Sequence, residues 1–221
     1  PSSKFFSVCV WFFVNKRILI REITKDKLFA CYTEEEFYNT PSLINVINEK
    51  DILELKYILT IINSKLLGWY HNKTSPKANK GLFPKILVND VRNLPLVNIS
   101  LEKQQSFIEK ADKMLSLNRE LQDLSQKFQR ILLRKFDLEK LSTKLQEWYL
   151  LDFSDFIKEL KRLKVKLSLS QESEWEEYFL EEKSKAIAID SEIKNTDKEI
   201  DSMVYKLYDL TAEEIKIIEE E

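Results

Sequence analysis

Hydrophobic positions follow two periods along this chain, and the change falls near Ser100. Upstream, Arg17 to Thr24 (RILIREIT), Lys27 to Tyr32 (KLFACY) and Leu43 to Ile47 (LINVI) are short runs of β-branched and aromatic residues between polar turn residues, which predicts strands. Phe5 to Val14 is a continuous apolar run, about half the roughly 20 residues of a membrane span. Its basic flank, Lys16 and Arg17, follows it rather than precedes it, the wrong order for a secretory signal, so a buried strand is expected there. Between Asp51 and Tyr70 the period becomes helical: Leu55, Leu59, Ile62, Leu66 and Trp69 share a face, and Asp51 stands where it favours a helix N-terminus. A strand over Phe83 to Val88 and a proline-bounded exit at Leu94 to Val97 close this part.

Beyond Ser100 the strand signals stop. Phe107, Met114, Leu117, Leu121, Leu124, Phe128 and Ile131 recur at intervals of three, four and seven, a heptad-like seam interrupted by Lys110. Such a helix needs a partner, and Glu172 to Tyr208 supplies one, with Trp175, Tyr178, Phe179, Ala186, Ile189, Ile193, Ile200, Val204 and Leu207 on its apolar face. Trp148, Tyr149, Phe153 and Phe156 mark a short helical connection that turns the chain back, and Thr211 with Glu214 forms a capping box for one last helix. The expected fold is α+β: a small mixed α/β domain over residues 1–100, then a long antiparallel, coiled-coil-like helical hairpin over residues 101–221. The apolar stripes read first as bundle core, though a helical seam also leaves room for a dimer.

With 221 residues, 43% of them hydrophobic, the chain can bury a real core. It begins at Pro1 with no initiator Met, so it is expected to be a piece of a larger protein. Its charge is unevenly divided: residues 1–100 carry 14 basic and 9 acidic residues, a net of +5, and residues 101–221 carry 21 and 28, a net of -7. Within Lys56 to Arg92 there are seven basic residues and one acid, Asp90, and the segment HNKTSPKANKGLFPKI (71–86) has no acid at all. Such an excess is the electrostatic footprint of a polyanion-binding surface, with a solvated lysine-rich loop as the alternative.

Catalytic chemistry finds little support. Two glycines, Gly68 and Gly81, cannot make a Gly-rich phosphate loop, and one histidine, His71, excludes a zinc site built on two. Cys9 and Cys31 lie in strand-like runs, so neither a disulfide nor a thiolate metal site is expected and a reducing, cytoplasmic compartment is. The Glu54-Leu55-Lys56 and Glu159-Leu160-Lys161 triplets resemble half of a nuclease site but fall in helical patterns. No catalytic residue, metal ligand or membrane segment is assigned, and the chain reads as a binding module.

Several stretches carry a resemblance: RILIREI (17–23), SLINVI (42–47), LKYILTIINSKLLGWY (55–70) and FPKILVNDVRNLPLVNI (83–99). In this order they resemble the TaqI-like C-terminal specificity, or target-recognition, domain of type II and IIG restriction-modification DNA methyltransferases. QQSFIEKADKML (104–115) and DKEIDSMVYKLYDLTAEEI (197–215) extend the likeness into the helical half. The resemblance implies double-stranded DNA as partner and methyltransferase or endonuclease domains elsewhere in the same chain. It also implies S-adenosylmethionine and Mg only in those other domains, since no Asn-Pro-Pro-Tyr-type motif occurs here.

Lysines neutralise phosphates and give salt-dependent affinity, whereas base identity is read by directional hydrogen bonds. Lys73, Lys77, Lys80, Lys85 and Arg92 are therefore the phosphate candidates, and Asn72, Asn79 and His71 the base-edge candidates. Arg17 and Arg21 lie on a strand where they could reach the DNA backbone or form an exposed salt bridge with Glu22 or a neighbour, and Gly81 permits a close approach. Two other classes stay open: a protein-interaction module working through the helices, and a single-strand binder stacking bases on Trp69 and Tyr70.

Overall fold

The computed structural model describes residues 15–24, 27–48, 52–78 and 84–220. The expected strand over Phe5 to Val14, Cys9, and the site candidates Asn79, Lys80 and Gly81 lie outside the described residues. The fold is α+β, with a sheet of three strands among the described residues followed by two long helices. Two compact units divide it: Pro1–Asp112 with Asp197–Glu221, and Lys113–Thr196. This division differs from a boundary at Ser100, because both ends of the helical half belong with the first hundred residues.

The first unit is built on strand β1 (Arg17–Arg21), flanked by β2 (Ala30–Thr33) and β3 (Leu43–Val46), all antiparallel, in the order β2-β1-β3. Ile18 faces Tyr32 and Val46, and Ile20 faces Ala30 and Ile44. Ile18, Leu19 and Ile20 are all buried, which is why the central strand reads as a continuous apolar run rather than an alternating one. Helix α1 (Leu55–Asn63) packs on β2 and closes its edge: Asn63 Oδ1 accepts from the Ala30 amide at 2.9 Å while its Nδ2 donates to the Ala30 carbonyl at 3.0 Å. One side chain thus replaces a missing strand partner. Buried Gln104 serves the other end of α1, where its Oε1 accepts from the Glu54 amide at 2.8 Å and its Nε2 donates to the Ile99 carbonyl at 2.9 Å.

The single helix expected over 51–70 is two. Ser64 stands extended (φ -68°, ψ 154°) and its Oγ accepts from the Leu67 amide, capping α2 (Lys65–Thr74). An N-cap serine is worth about 1 kcal/mol. The first free amide of α2 is also capped by a distant residue: Lys65 N donates to Asp201 Oδ1 at 2.8 Å. The strand expected over Phe83 to Val88 is likewise corrected. Among the described residues 84–88 only an isolated bridge, Ile23 with Lys85, forms, and Val88 already opens the short helix α3 (Val88–Arg92). Asp90 in its first turn accepts from the Leu87 amide at 2.9 Å, a local cap that favours helix over ladder.

Helix α4 (Leu101–Lys135) gives its first turns to this unit, as helix α7 (Leu169–Leu207) gives its last. In α8 (Ala212–Glu220) the capping box is as expected, with Glu214 N donating to Thr211 Oγ1 at 3.3 Å and Thr211 N to Glu214 Oε2 at 2.8 Å.

In the second unit α4 and α7 pack antiparallel: Lys113 pairs with Glu192, Phe128 with Phe179 and Phe136 with Trp175. Helices α5 (Thr143–Gln146) and α6 (Phe153–Arg162), with the 3-10 turn Trp148–Leu150 between them, form the expected connection. The core is aromatic, with Phe128 stacked on Trp148 (3.8 Å) and ringed by Phe156, Trp175, Tyr178 and Phe179. The seam is shifted from the expected one: Ser125, Phe128 and Leu132 are buried, while Leu124 and Ile131 are half-buried at its sides. Glu159 is buried and spends its carboxylate on Ser142 and Arg162.

No helix among the described residues is long and apolar enough to cross a membrane.

Candidate nucleic-acid interface

The basic segment begins inside α2 rather than in a loop. His71, Asn72 and Lys73 occupy the last turn of that helix, where cationic side chains favour the helix dipole. Ser75 ends the helix with its amide on the His71 carbonyl (2.9 Å), and a turn follows through Ala78. Asp90, the one acid of the stretch, fastens this turn to α3: its Oδ2 accepts from Ser75 Oγ at 3.1 Å as well as from the Leu87 amide. Further along, Lys85 N donates to the Lys77 carbonyl (3.3 Å), Ile86 N to Glu22 O and Thr24 N to Pro84 O (2.9 Å each). These bonds pin the segment's exit to the end of β1.

Each candidate can now be placed. Arg17 is fully buried; its guanidinium donates to the carbonyls of Asn15 (3.2 Å), Glu35 (3.0 Å) and Phe37 (3.0 Å) and lies 4.7 Å from the centre of the Phe37 ring. It gathers the chain after β2 and is not placed to meet DNA. Arg21 is exposed, stacked 4.3 Å over the Phe29 ring with Nε donating to Ile23 O, and does not pair with Glu22. Glu22 is instead taken by Lys85, whose Nζ lies 3.1 Å from its Oε1. Lys73 is exposed and sits 6.0 Å from the Trp69 ring centre. Lys77 and Arg92 are exposed and enter no ion pair among the described residues. Asn72 is half-buried on α2.

Pairing sorts these cations. In the same compact unit Lys16 meets Glu34, Lys27 meets Asp197, Lys56 meets Asp112, Lys65 meets Glu219 and Lys85 meets Glu22. Three of these acids come from beyond residue 110. Residues 101–112 add a net -1 and residues 197–221 a net -6 to the +5 of the first hundred, so the unit is net -2. The positive half seen along the chain is thus cancelled in the folded unit; around the α2–α3 turn Lys77 and Arg92 stay exposed without an ion pair among the described residues, as do Lys103, Lys198 and Lys206 elsewhere in the unit.

A cleft of about 270 Å³ opens at this turn, lined by Tyr70, His71, Ser75, Asn89, Asp90 and Asn93 among others. His71 is 2% exposed and its ring hydrogen-bonds the Lys85 backbone, while Nε2 has no partner. Burial holds its pKa below the ordinary value against the opposing pull of Asp90. A neutral ring whose Nδ1 hydrogen is held by a carbonyl offers Nε2 as an acceptor. Asn89 and Asn93 were not singled out from the sequence; the signal was the Asn-x-x-x-Asn spacing across 89–93, which puts both amides on one face of a helical turn.

Residues 3–96 match the family model of the TaqI-like C-terminal specificity domain, which begins well before Arg17 and ends just after the Leu94-Pro95 exit. Residues 100–204 match a separate model, Domain of unknown function (DUF8810), so the helical half carries its own family signature. No curated protein and no solved structure matches the chain.

Proposed function

We propose that this chain is the specificity part of a restriction-modification enzyme and reads double-stranded DNA, the premise being that residues 3–96 are a TaqI-like C-terminal specificity domain. That family is one of DNA recognition rather than catalysis, and the reading assigns no bond-making step to this chain. Lys73, Lys77, Arg92 and Arg21, with Lys80, take phosphates and set register; Asn72, Asn79 and the amides of α3 approach base edges. The helical half serves as a spacer or docking surface for methyltransferase and endonuclease domains of the same protein. Those domains would hold S-adenosylmethionine and Mg, and adenine would be the methylated base. A cytoplasmic setting follows from that role.

The observation that carries the proposal is the family match over residues 3–96. It is joined by Lys77 and Arg92, which stand exposed and without an ion pair among the described residues beside the cleft, while the unit ties seven other lysines to carboxylates. Fluorescence anisotropy of the chain with a labelled random-sequence duplex tests it, using unlabelled duplex and single strands as competitors. Duplex should compete better, and Trp69→Ala should leave binding in place. Tighter capture of single strands with loss on Trp69→Ala would instead establish stacking on Trp69 and Tyr70. No binding to either would return the function to the helices.

A further inference from the structure

Charge alone groups Arg21 with the cations that meet phosphates, yet its side chain is held in a way that theirs are not. Its amide bonds the Phe29 carbonyl and its register partner on β3 is Leu43, so it stands in the middle of a row of three at the end of the sheet. The guanidinium lies 4.3 Å over the Phe29 ring, and Nε donates to the Ile23 carbonyl at 2.9 Å. One face and one donor are thereby fixed, and the far edge with Nη1 and Nη2 is left for a partner. No carboxylate meets it among the described residues, since the adjacent Glu22 is taken by Lys85. Phe29 and Ile23 remain 44% and 41% exposed, so apolar surface frames this edge.

A phosphate needs only a positive charge that can follow it, which a flexible lysine supplies. It can also accept two donors from one arginine, but exposed apolar side chains on either side would strip its water without replacing it. A rigid pair of donors in an apolar frame suits a pair of acceptors fixed in a plane, and in the major groove that pair is guanine O6 and N7. We propose that Arg21 reads a guanine in the DNA site through Nη1 and Nη2, with Phe29 as the residue that positions it. Its place on the surface agrees. Two residues on, Ile23 bridges Lys85, whose amide donates to the Lys77 carbonyl. That path from Arg21 to Lys77 is about 17 Å at most, the rise of about five base pairs, so both fit one short site. The inference rests on the DNA-recognition reading and names within it the base that one residue reads. Its charge adds to salt dependence whichever DNA atom it meets, so sequence rather than salt separates the two contacts.

The test is selection of preferred duplexes from a random-sequence pool by the wild-type chain and by Arg21→Lys, which keeps the charge and loses the fork. The wild type should fix a G·C pair at one position that becomes random for Arg21→Lys, with the other selected positions unchanged. On the selected duplex, 7-deazaguanine at that position should weaken wild-type binding about tenfold, the worth of one bidentate base contact, and leave Arg21→Lys unaffected. Phe29→Leu should reduce the same preference and no other. If Arg21→Lys does not fold, the 7-deazaguanine scan of the wild type decides alone. Selection of the same sequence by both proteins, or a wild-type site in which no guanine is sensitive to 7-deaza substitution, would overturn the guanine contact while the DNA reading stands. A pool from which the wild type selects nothing and binds nothing would remove both.

Discussion

Salt dependence gives the most direct access to which cations meet DNA. Each phosphate neutralised contributes about -0.9 to the slope of log K against log salt. Of the cations singled out in the sequence and described in the structure, Arg17 is buried and Lys85 is held by Glu22, while Arg21, Lys73, Lys77 and Arg92 are exposed. Four contacts give a slope of about -3.6, so between about 50 and 200 mM salt the affinity should fall about 150-fold. Lys77→Gln should make the slope shallower by about 0.9, and changing all four to Gln should remove about 3.6 of it. Lys56→Gln and Lys65→Gln serve as controls of equal charge change, because Asp112 and Glu219 already occupy those ammonium groups. The measurement is anisotropy on a random-sequence duplex across a salt series. If Lys65→Gln moves the slope as much as Lys77→Gln, or the fourfold variant keeps the full slope, then ion pairing does not select the contact surface and the reasoning fails.

Three further outcomes follow from particular contacts. Arg17→Met should cost about 3 kcal/mol in urea denaturation, since it strands three carbonyls that the guanidinium now satisfies, whereas Lys77→Gln should stay within about 0.5 kcal/mol. Lys164 sits at positive φ (64°) just past α6, with Val165 N donating to Leu160 O, so Lys164→Gly should stabilise by about 0.5–1 kcal/mol in the same assay. Because burial depresses the pKa of His71, the unfolded chain takes up the proton first; that contribution is present above the unfolded value near 6.5 and is lost as pH falls through the folded one. Denaturation between about pH 7.5 and 5 should show the loss in the wild type and a smaller one in His71→Phe.

Local chemistry carried much of the fold into view. The run RILIR is apolar without alternation because β1 is covered on both sides, and the TAEE box caps α8 as its spacing implies. The break at Ser64 was hidden because the apolar period runs on through it: Ile62, Leu66 and Leu67 are all buried, so both helices keep a hydrophobic face across the turn. The expected strand at 83–88 was lost to Asp90, whose carboxylate holds the Leu87 amide and nucleates α3 from within an apolar run. The seam of α4 holds at Phe107 and Phe128 but moves by one residue to Ser125 and Leu132, where Phe128 is surrounded by rings from three other segments rather than by one facing helix.

The candidate site was legible in a different way. Chain-local counting singled out the segment, since its cations, prolines and single acid stand together in the sequence. It could not say which cations remain available, because availability is decided by carboxylates far away in sequence: Glu219 lies 154 residues from Lys65, and Asp197 lies 170 from Lys27. The same distant acids bring the unit to net -2, so in the DNA-recognition reading long-range steering is weak and affinity has to come from contacts at the turn itself. In the DNA-recognition reading, few phosphate contacts keep non-specific binding low, and a larger share of the free energy is left to groups that read bases, for which the asparagines of α2 and α3 are candidates.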